Sequence, residues 1–231
     1  MKAILCLIGL VIISEVSTQC LTIKVKSQSK QGYTSRYWNC CKPHCAWRRG
    51  ASSCDLNQRR ETSHDINSIC GGGTSSVCFD QIPFQVDGCP DMSFAFVASS
   101  GHYAGVSSCG KCFQITFTGE GQWKTTPQTQ ALKGKKLIVM SNTIDYDVKA
   151  DQFGVMVPGG GVGLYNGCGK YFGDSNIGSQ YGGILSECIE VKKASDPVSC
   201  LKQGCQKAFA RIPLAKKGCL WLADWFEAAD D

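Results

Sequence analysis

Apolar residues run without interruption from Ala3 to Ile13, behind the positive start Met1–Lys2 and ahead of the small and polar stretch Ser14–Gln19. That layout predicts a secretory signal peptide over 1–19, cleaved between Ser17 and Cys20. The run falls short of the roughly 20 apolar residues that span a bilayer. No later stretch is apolar enough to do so, so the mature chain is expected to be exported and free of the membrane. Beyond it the pattern changes to short β-branched or aromatic runs bounded by turn residues. Ser93–Ala98, Phe113–Phe117 and Leu137–Met140 read as strands. Leu201, Cys205 and Phe209 recur at four-residue spacing and predict a helix over 199–210. Ala223–Ala229 reads as a short C-terminal helix. Glycines cluster at 71–73, 159–161 and 182–183, where positive φ or close backbone approach is expected. The sum is a β-rich domain with a few short helices, most simply a barrel.

Cysteine usage sharpens this picture. Of 16 cysteines, Cys6 lies in the leader and Cys20 at its end; the other 14 form an even set from Cys40 to Cys219. Behind a signal peptide such a set reads as a disulfide framework. With only three histidines in the chain, Cys109-Gly-Lys-Cys112 is read as part of that framework and not as a zinc site. The net charge is +5, with basic residues scattered in pairs such as Arg48–Arg49 and Lys216–Lys217. Nucleic-acid binding would call for a concentrated basic stripe. No repeat, linker or appended binding module interrupts 32–231, which reads as one domain after a short segment, 20–31. Gly159–Gly167 lacks the helix and spacing of a nucleotide-binding loop.

The run Thr34-Ser-Arg-Tyr-Trp-Asn-Cys-Cys-Lys-Pro-His-Cys-Ala-Trp47 carries the most specific signal. It resembles the signature of glycoside hydrolase family 45, the small endo-β-1,4-glucanases, which reads Thr-Arg-Tyr-Trp-Asp-Cys-Cys-Lys-Pro-x-Cys. Similar matches continue at Ser108–Phe117, Gly134–Val139, Pro158–Gly163 with Gly167-Cys168, Gln180–Gly183 and Gly218–Phe226. Residues 195–213 look like an insertion. The resemblance implies a six-stranded double-psi β-barrel with long loops shaping a substrate groove. It also implies the bridges Cys40–Cys168, Cys41–Cys70, Cys45–Cys109 and Cys54–Cys78. Partners for Cys89, Cys112, Cys188, Cys200, Cys205 and Cys219 stay open.

The family's reaction is inverting hydrolysis by two carboxyl groups about 6.5–9.5 Å apart, one activating water and one protonating the leaving oxygen. The family's general base is the Asp between Tyr-Trp and Cys-Cys; here it is Asn39. Its general acid maps to Gly154, in Gln152-Phe153-Gly154 ahead of the Pro-Gly-Gly-Gly loop. Asp147 matches a supporting aspartate, and Asp151 is a candidate replacement acid. Losing one positioned base costs about 10²–10⁴ in rate. Arg36, Tyr37, Trp38 and Trp47 are the substrate-binding residues the resemblance implies, whereas Trp221 and Trp225 read as core. His44, His64 and His102 show no catalytic spacing. The expectation is a secreted, monomeric protein that binds β-glucan, such as cellulose or xyloglucan, without hydrolysing it and without a cofactor or metal. The alternatives are an active endoglucanase using Asp147 or Asp151, and a structural or inhibitory protein with no carbohydrate function.

Overall fold

The computed structural model describes residues 20–25, 30–48, 50–102, 105–173 and 177–230. The expected signal peptide lies outside them. Among the described residues six strands form one sheet: β1 (Tyr33–Tyr37), β2 (Phe84–Val86), β3 (Cys89–Ser100), β4 (Cys112–Thr116), β5 (Lys136–Asp145) and β6 (Gln152–Met156). Their order is β1-β6-β3-β5-β4, with β2 hairpinned onto β3. β1 runs parallel to β6 and β3 parallel to β5, while β6 and β3, and β5 and β4, are antiparallel. All three sequence-predicted strands are present.

Alternation along the strands sorts the two faces. Val97, Val139 and Val155 point into the core with Leu137, none more than 2% exposed. Phe96, Ala98 and Gly154 take the opposite face. The pairing path leaves β1 and β4 as edges, so ring closure is not seen in the ladder. The sheet is nevertheless strongly curled. Phe113 on β4 and Phe153 on β6 have ring centroids 5.1 Å apart, although three strand spacings in a flat sheet would separate their backbones by about 14 Å.

Among the described residues five α-helical segments cover the core: α1 (Pro127–Ala131), α2 (Gly169–Phe172), α3 (Gly183–Ser186), α4 (Pro197–Ala208) and α5 (Pro213–Asp224). Helix α4 matches the predicted one and fills the apparent insertion. Asp196 caps it by accepting the Ser199 N–H at 3.1 Å, and Pro197 sits in the first turn. Leu201, Cys205 and Phe209 are fully buried. The predicted C-terminal helix is displaced: α5 begins at Pro213 and ends at Asp224, and residues 225–230 turn instead, with Glu227 and Ala228 at φ 58° and 54°. The 223–229 segment is alanine-rich, but its course is set by tertiary contacts; Lys135 holds it through the Trp225 carbonyl and Glu227, each at 2.8 Å.

Among the described residues seven disulfides staple the fold, and the four pairings implied by the resemblance are all among them. Cys188–Cys200 and Cys205–Cys219 pin α4 to its neighbours. The even set beginning at Cys40 does not close on itself. Cys89 pairs with Cys20, and Cys112 is left as the single free, exposed cysteine among the described residues. Cys112 sits at the exposed first position of β4. Among the described residues no helix is long and apolar enough to cross a membrane.

Candidate functional site

The site is assembled where β1 and β6 meet the middle of β3. Neither β1 nor β6 reads as a strand from its sequence, since one is polar and the other carries a central glycine. Register places Gly154 between Ser35 of β1 and Ala98 of β3. A Cβ at Gly154 would stand 3.4 Å from Ala98 Cβ and 3.3 Å from Tyr37 Cδ1. The Tyr37 ring therefore lies across the position from which a catalytic acid would project. Its hydroxyl reaches toward Thr143 and Asp145, is enclosed, and makes no well-formed hydrogen bond. Burial pushes the Tyr37 phenol well above its usual pKa; the Thr143 side chain opposes that shift and the Asp145 charge adds to it.

Asn39 follows β1 at the mouth of a tight turn. Its Oδ1 accepts the Cys41 N–H at 3.0 Å and its carbonyl accepts the Gly167 N–H at 3.0 Å. Cys40, bridged to Cys168, takes the left-handed conformation at φ 59°, which holds the Asn39 side chain in this pose. The Oδ1 contact fixes the amide orientation and leaves the NH2 as the outward group. The remaining polar group is thus a donor, at the position that the resemblance assigns to the general base. Ser35, opposite Gly154, is four residues from Asn39, at most about 13 Å of extended chain.

The proposed replacements are less well placed. Asp151 and Asp147 are exposed. Asp151 precedes β6, and its carbonyl accepts the Tyr33 N–H at 2.9 Å. It is an odd number of residues from Gly154, so strand alternation sets it toward the other face. The Asp147 N–H donates to Asp145 Oδ1 at 2.9 Å. Asp145, the carboxylate near Tyr37, escaped the sequence reading because it belongs to no motif.

Two of the four expected binding residues are structural. Trp38 is 1% exposed, with rings of Phe79, Phe172 and Phe209 at 5.3, 5.8 and 5.6 Å. Alternation past β1 turns it to the core. Arg36 donates to the Gly182 carbonyl at 3.0 Å, Ser186 Oγ at 3.0 Å and Asp230 Oδ1 at 2.6 Å, which ties β1 to α3 and the C-terminus. Trp47 remains accessible, with Lys42 Nζ 3.9 Å from its ring centroid. Lys42 also donates to the carbonyls of His64 and Ile66, at 2.7 and 2.8 Å; burial lowers its pKa, against the charges of Glu61 and Asp65. Trp221 and Trp225 are core, as expected.

An open groove of about 740 Å³ lies beside these residues, lined by Ser53, Arg60, Glu61, His64 and Gln81 and floored by Phe96 and Met140. None of the expected catalytic positions lines it. Phe96 precedes Ala98, the partner of Gly154, by two residues on the same face of β3. Tyr165 and Tyr181, which the sequence reading did not single out as binding residues, are also exposed. They stand on loops joined by reciprocal hydrogen bonds between Gly163 and Gln180, at 2.8 and 2.9 Å.

The fold is a curled, disulfide-stapled sheet with an open groove beside it. The sequence profile of glycosyl hydrolase family 45 matches residues 31–213, and the chain belongs to that family. It is 39% identical over 216 residues to Endoglucanase B of Cellvibrio japonicus (strain Ueda107), covering 87% of this chain and 41% of that protein. It is 34% identical over 221 residues to a putative endoglucanase type K of Fusarium oxysporum, covering 90% and 50%. The chain thus spans about half or less of those two relatives. An endoglucanase of Cryptopygus antarcticus is 34% identical over 213 residues, covering 88% and 80%. The crystal structure of the cellulase from that Antarctic springtail superposes with a TM-score of 0.67 at 31% identity, covering 88% of each chain.

Proposed function

We propose that this chain is a secreted β-1,4-glucan-binding protein, built on the family 45 endoglucanase scaffold and without hydrolytic activity. The observation that carries the reading is at Gly154: the acid position has no side chain, and Tyr37 packs across it at 3.3 Å from the missing Cβ. At the base position Asn39 offers a donor in place of an acceptor. Neither proton transfer of the inverting reaction has a group to perform it. The accessible Trp47 ring and the groove over Phe96 keep surfaces suited to sugar, whose C–H faces pack on rings while hydroxyls bond flanking polar groups. The double-psi barrel belongs to the same proposal, supported by the curl that brings Phe113 to Phe153. So do export, which the disulfide density supports, and a monomeric state.

The test compares purified wild type with Asn39→Asp/Gly154→Asp. Reducing-end release is assayed on carboxymethylcellulose, xyloglucan and mixed-linkage glucan, beside affinity electrophoresis in each polymer. Wild type is expected to be retarded but to release no reducing ends. Cleavage by wild type that is lost in Asp147→Ala or Asp151→Ala would establish the hydrolytic alternative. Absence of retardation in every glucan would remove the binding claim.

A further inference from the structure

Tyr146 is a large aromatic that the family resemblance leaves without a role. It sits on the turn after β5, between Asp145 and Asp147, and is 66% exposed. Such a ring would ordinarily swing freely; this one is clamped from behind. A Cβ on Gly101 would fall 2.9 Å from both Cδ1 and Cε1 of Tyr146, so the ring rests on bare backbone. His102 meets it edge-on, with centroids 5.4 Å apart and planes at 85°. Two further contacts lock the turn: His102 Nε2 lies 2.9 Å from the Tyr146 carbonyl, and the Gly101 N–H donates to the Asp145 carbonyl at 2.8 Å.

Position gives the clamp a purpose. Along β3, Phe96 floors the groove, Ala98 pairs with Gly154, and the strand ends at Ser100, next to Gly101. β1 runs antiparallel to β3, so Asn39, beyond the end of β1, belongs to the Phe96 end. The Tyr146 ring therefore stands beyond the opposite end of the sheet, past the acid position, with exposed Asp147 beside it. A flat apolar face, orientationally fixed before binding and flanked by a hydroxyl acceptor, is what a pyranose ring requires; the fixed ring loses little conformational freedom when covered.

We infer that Tyr146 is a stacking platform for one glucosyl unit of a β-1,4-glucan, held ready by Gly101 and His102 on the side of the acid position remote from Asn39. The inference rests on the glucan-binding reading above. It is tested by titrating cello-oligosaccharides and xyloglucan against wild type, Tyr146→Ala, Tyr146→Phe and Gly101→Ala, with a thermal scan of each. Tyr146→Ala is expected to weaken binding roughly five- to tenfold, and Tyr146→Phe to stay within about twofold, since the ring and not the hydroxyl makes the contact. Gly101 lies outside positive φ, so its backbone accepts alanine. The added methyl displaces the ring, and Gly101→Ala is expected to weaken binding with Tyr146 still present. Wild-type affinity in both Tyr146→Ala and Gly101→Ala would overturn the platform and leave glucan binding standing. A wild type that binds no glucan would instead overturn the reading on which the platform rests.

Discussion

At the residue scale, the contrast between neighbours Tyr37, Trp38 and Trp47 carries the argument. Trp38→Ala removes a ring enclosed by three others and is expected to cost about 3–5 kcal/mol in chemical denaturation. Trp47→Ala is expected to cost only about 1 kcal/mol, chiefly the contact with Lys42, while reducing retardation in glucan gels. Tyr37 behaves differently from both. Its enclosed hydroxyl lacks a well-formed hydrogen bond, so Tyr37→Phe is expected to leave stability unchanged or to raise it by about 1 kcal/mol. The pH dependence follows from the raised pKa. As pH climbs past about 10 the unfolded chain gives up the phenolic proton first, the folded state holds more protons, and stability falls. Tyr37→Phe is expected to flatten that alkaline fall, read as Tm against pH. Part of the slope should remain, because burial also raises Tyr171.

At the scale of elements, helix α4 shows how a tertiary contact overrules a local preference. Gly204 sits inside it, where alanine would ordinarily be favoured by about 1 kcal/mol. A Cβ there would meet Ile184 Cγ2 at 2.4 Å. Gly204→Ala is therefore expected to destabilise the protein by roughly 1–3 kcal/mol despite its better helix propensity, and in a double-mutant cycle Ile184→Ala should cost less in the Gly204→Ala background than in wild type. The helix itself was legible from Leu201, Cys205 and Phe209, whose spacing marks one buried stripe. β6 was not legible, because the glycine that makes it informative about function also weakens its strand signal. α5 was misplaced toward 223–229 because Pro213 starts a helix that the alanines after Trp225 do not continue.

For the whole molecule, the disulfides join segments far apart in the chain. Cys20–Cys89 ties the N-terminal segment to the start of β3 across 69 residues. Cleavage of a leader is accordingly expected to leave Cys20 in the mature protein. Peptide mapping without reduction should recover a Cys20–Cys89 peptide, and alkylation of the native protein should label Cys112. A labelled Cys89 would contradict this pairing. The groove is likewise a property of the whole: its residues come from the 50–64 loops, the 80–81 turn, β3 and β5, and only the folded sheet makes them one surface.

What the sequence determined alone is what adjacent residues encode. The Cys-Cys run pointed to a family and, through that resemblance, to four bridges, and the anchors Trp38–Cys40 and Phe153–Pro158 fixed Asn39 and Gly154 as the positions where the resemblance expects carboxylates, because a position inside a contiguous motif needs no three-dimensional context. The tertiary structure decided where those residues point and what they touch. Arg36 has partners 146 to 194 residues away, Trp38 turns inward while Trp47 stays accessible, and Tyr37 meets Gly154 only through the pairing of β1 with β6. The physical reason is that side-chain direction follows from strand register, and register is set by the packing of the whole sheet.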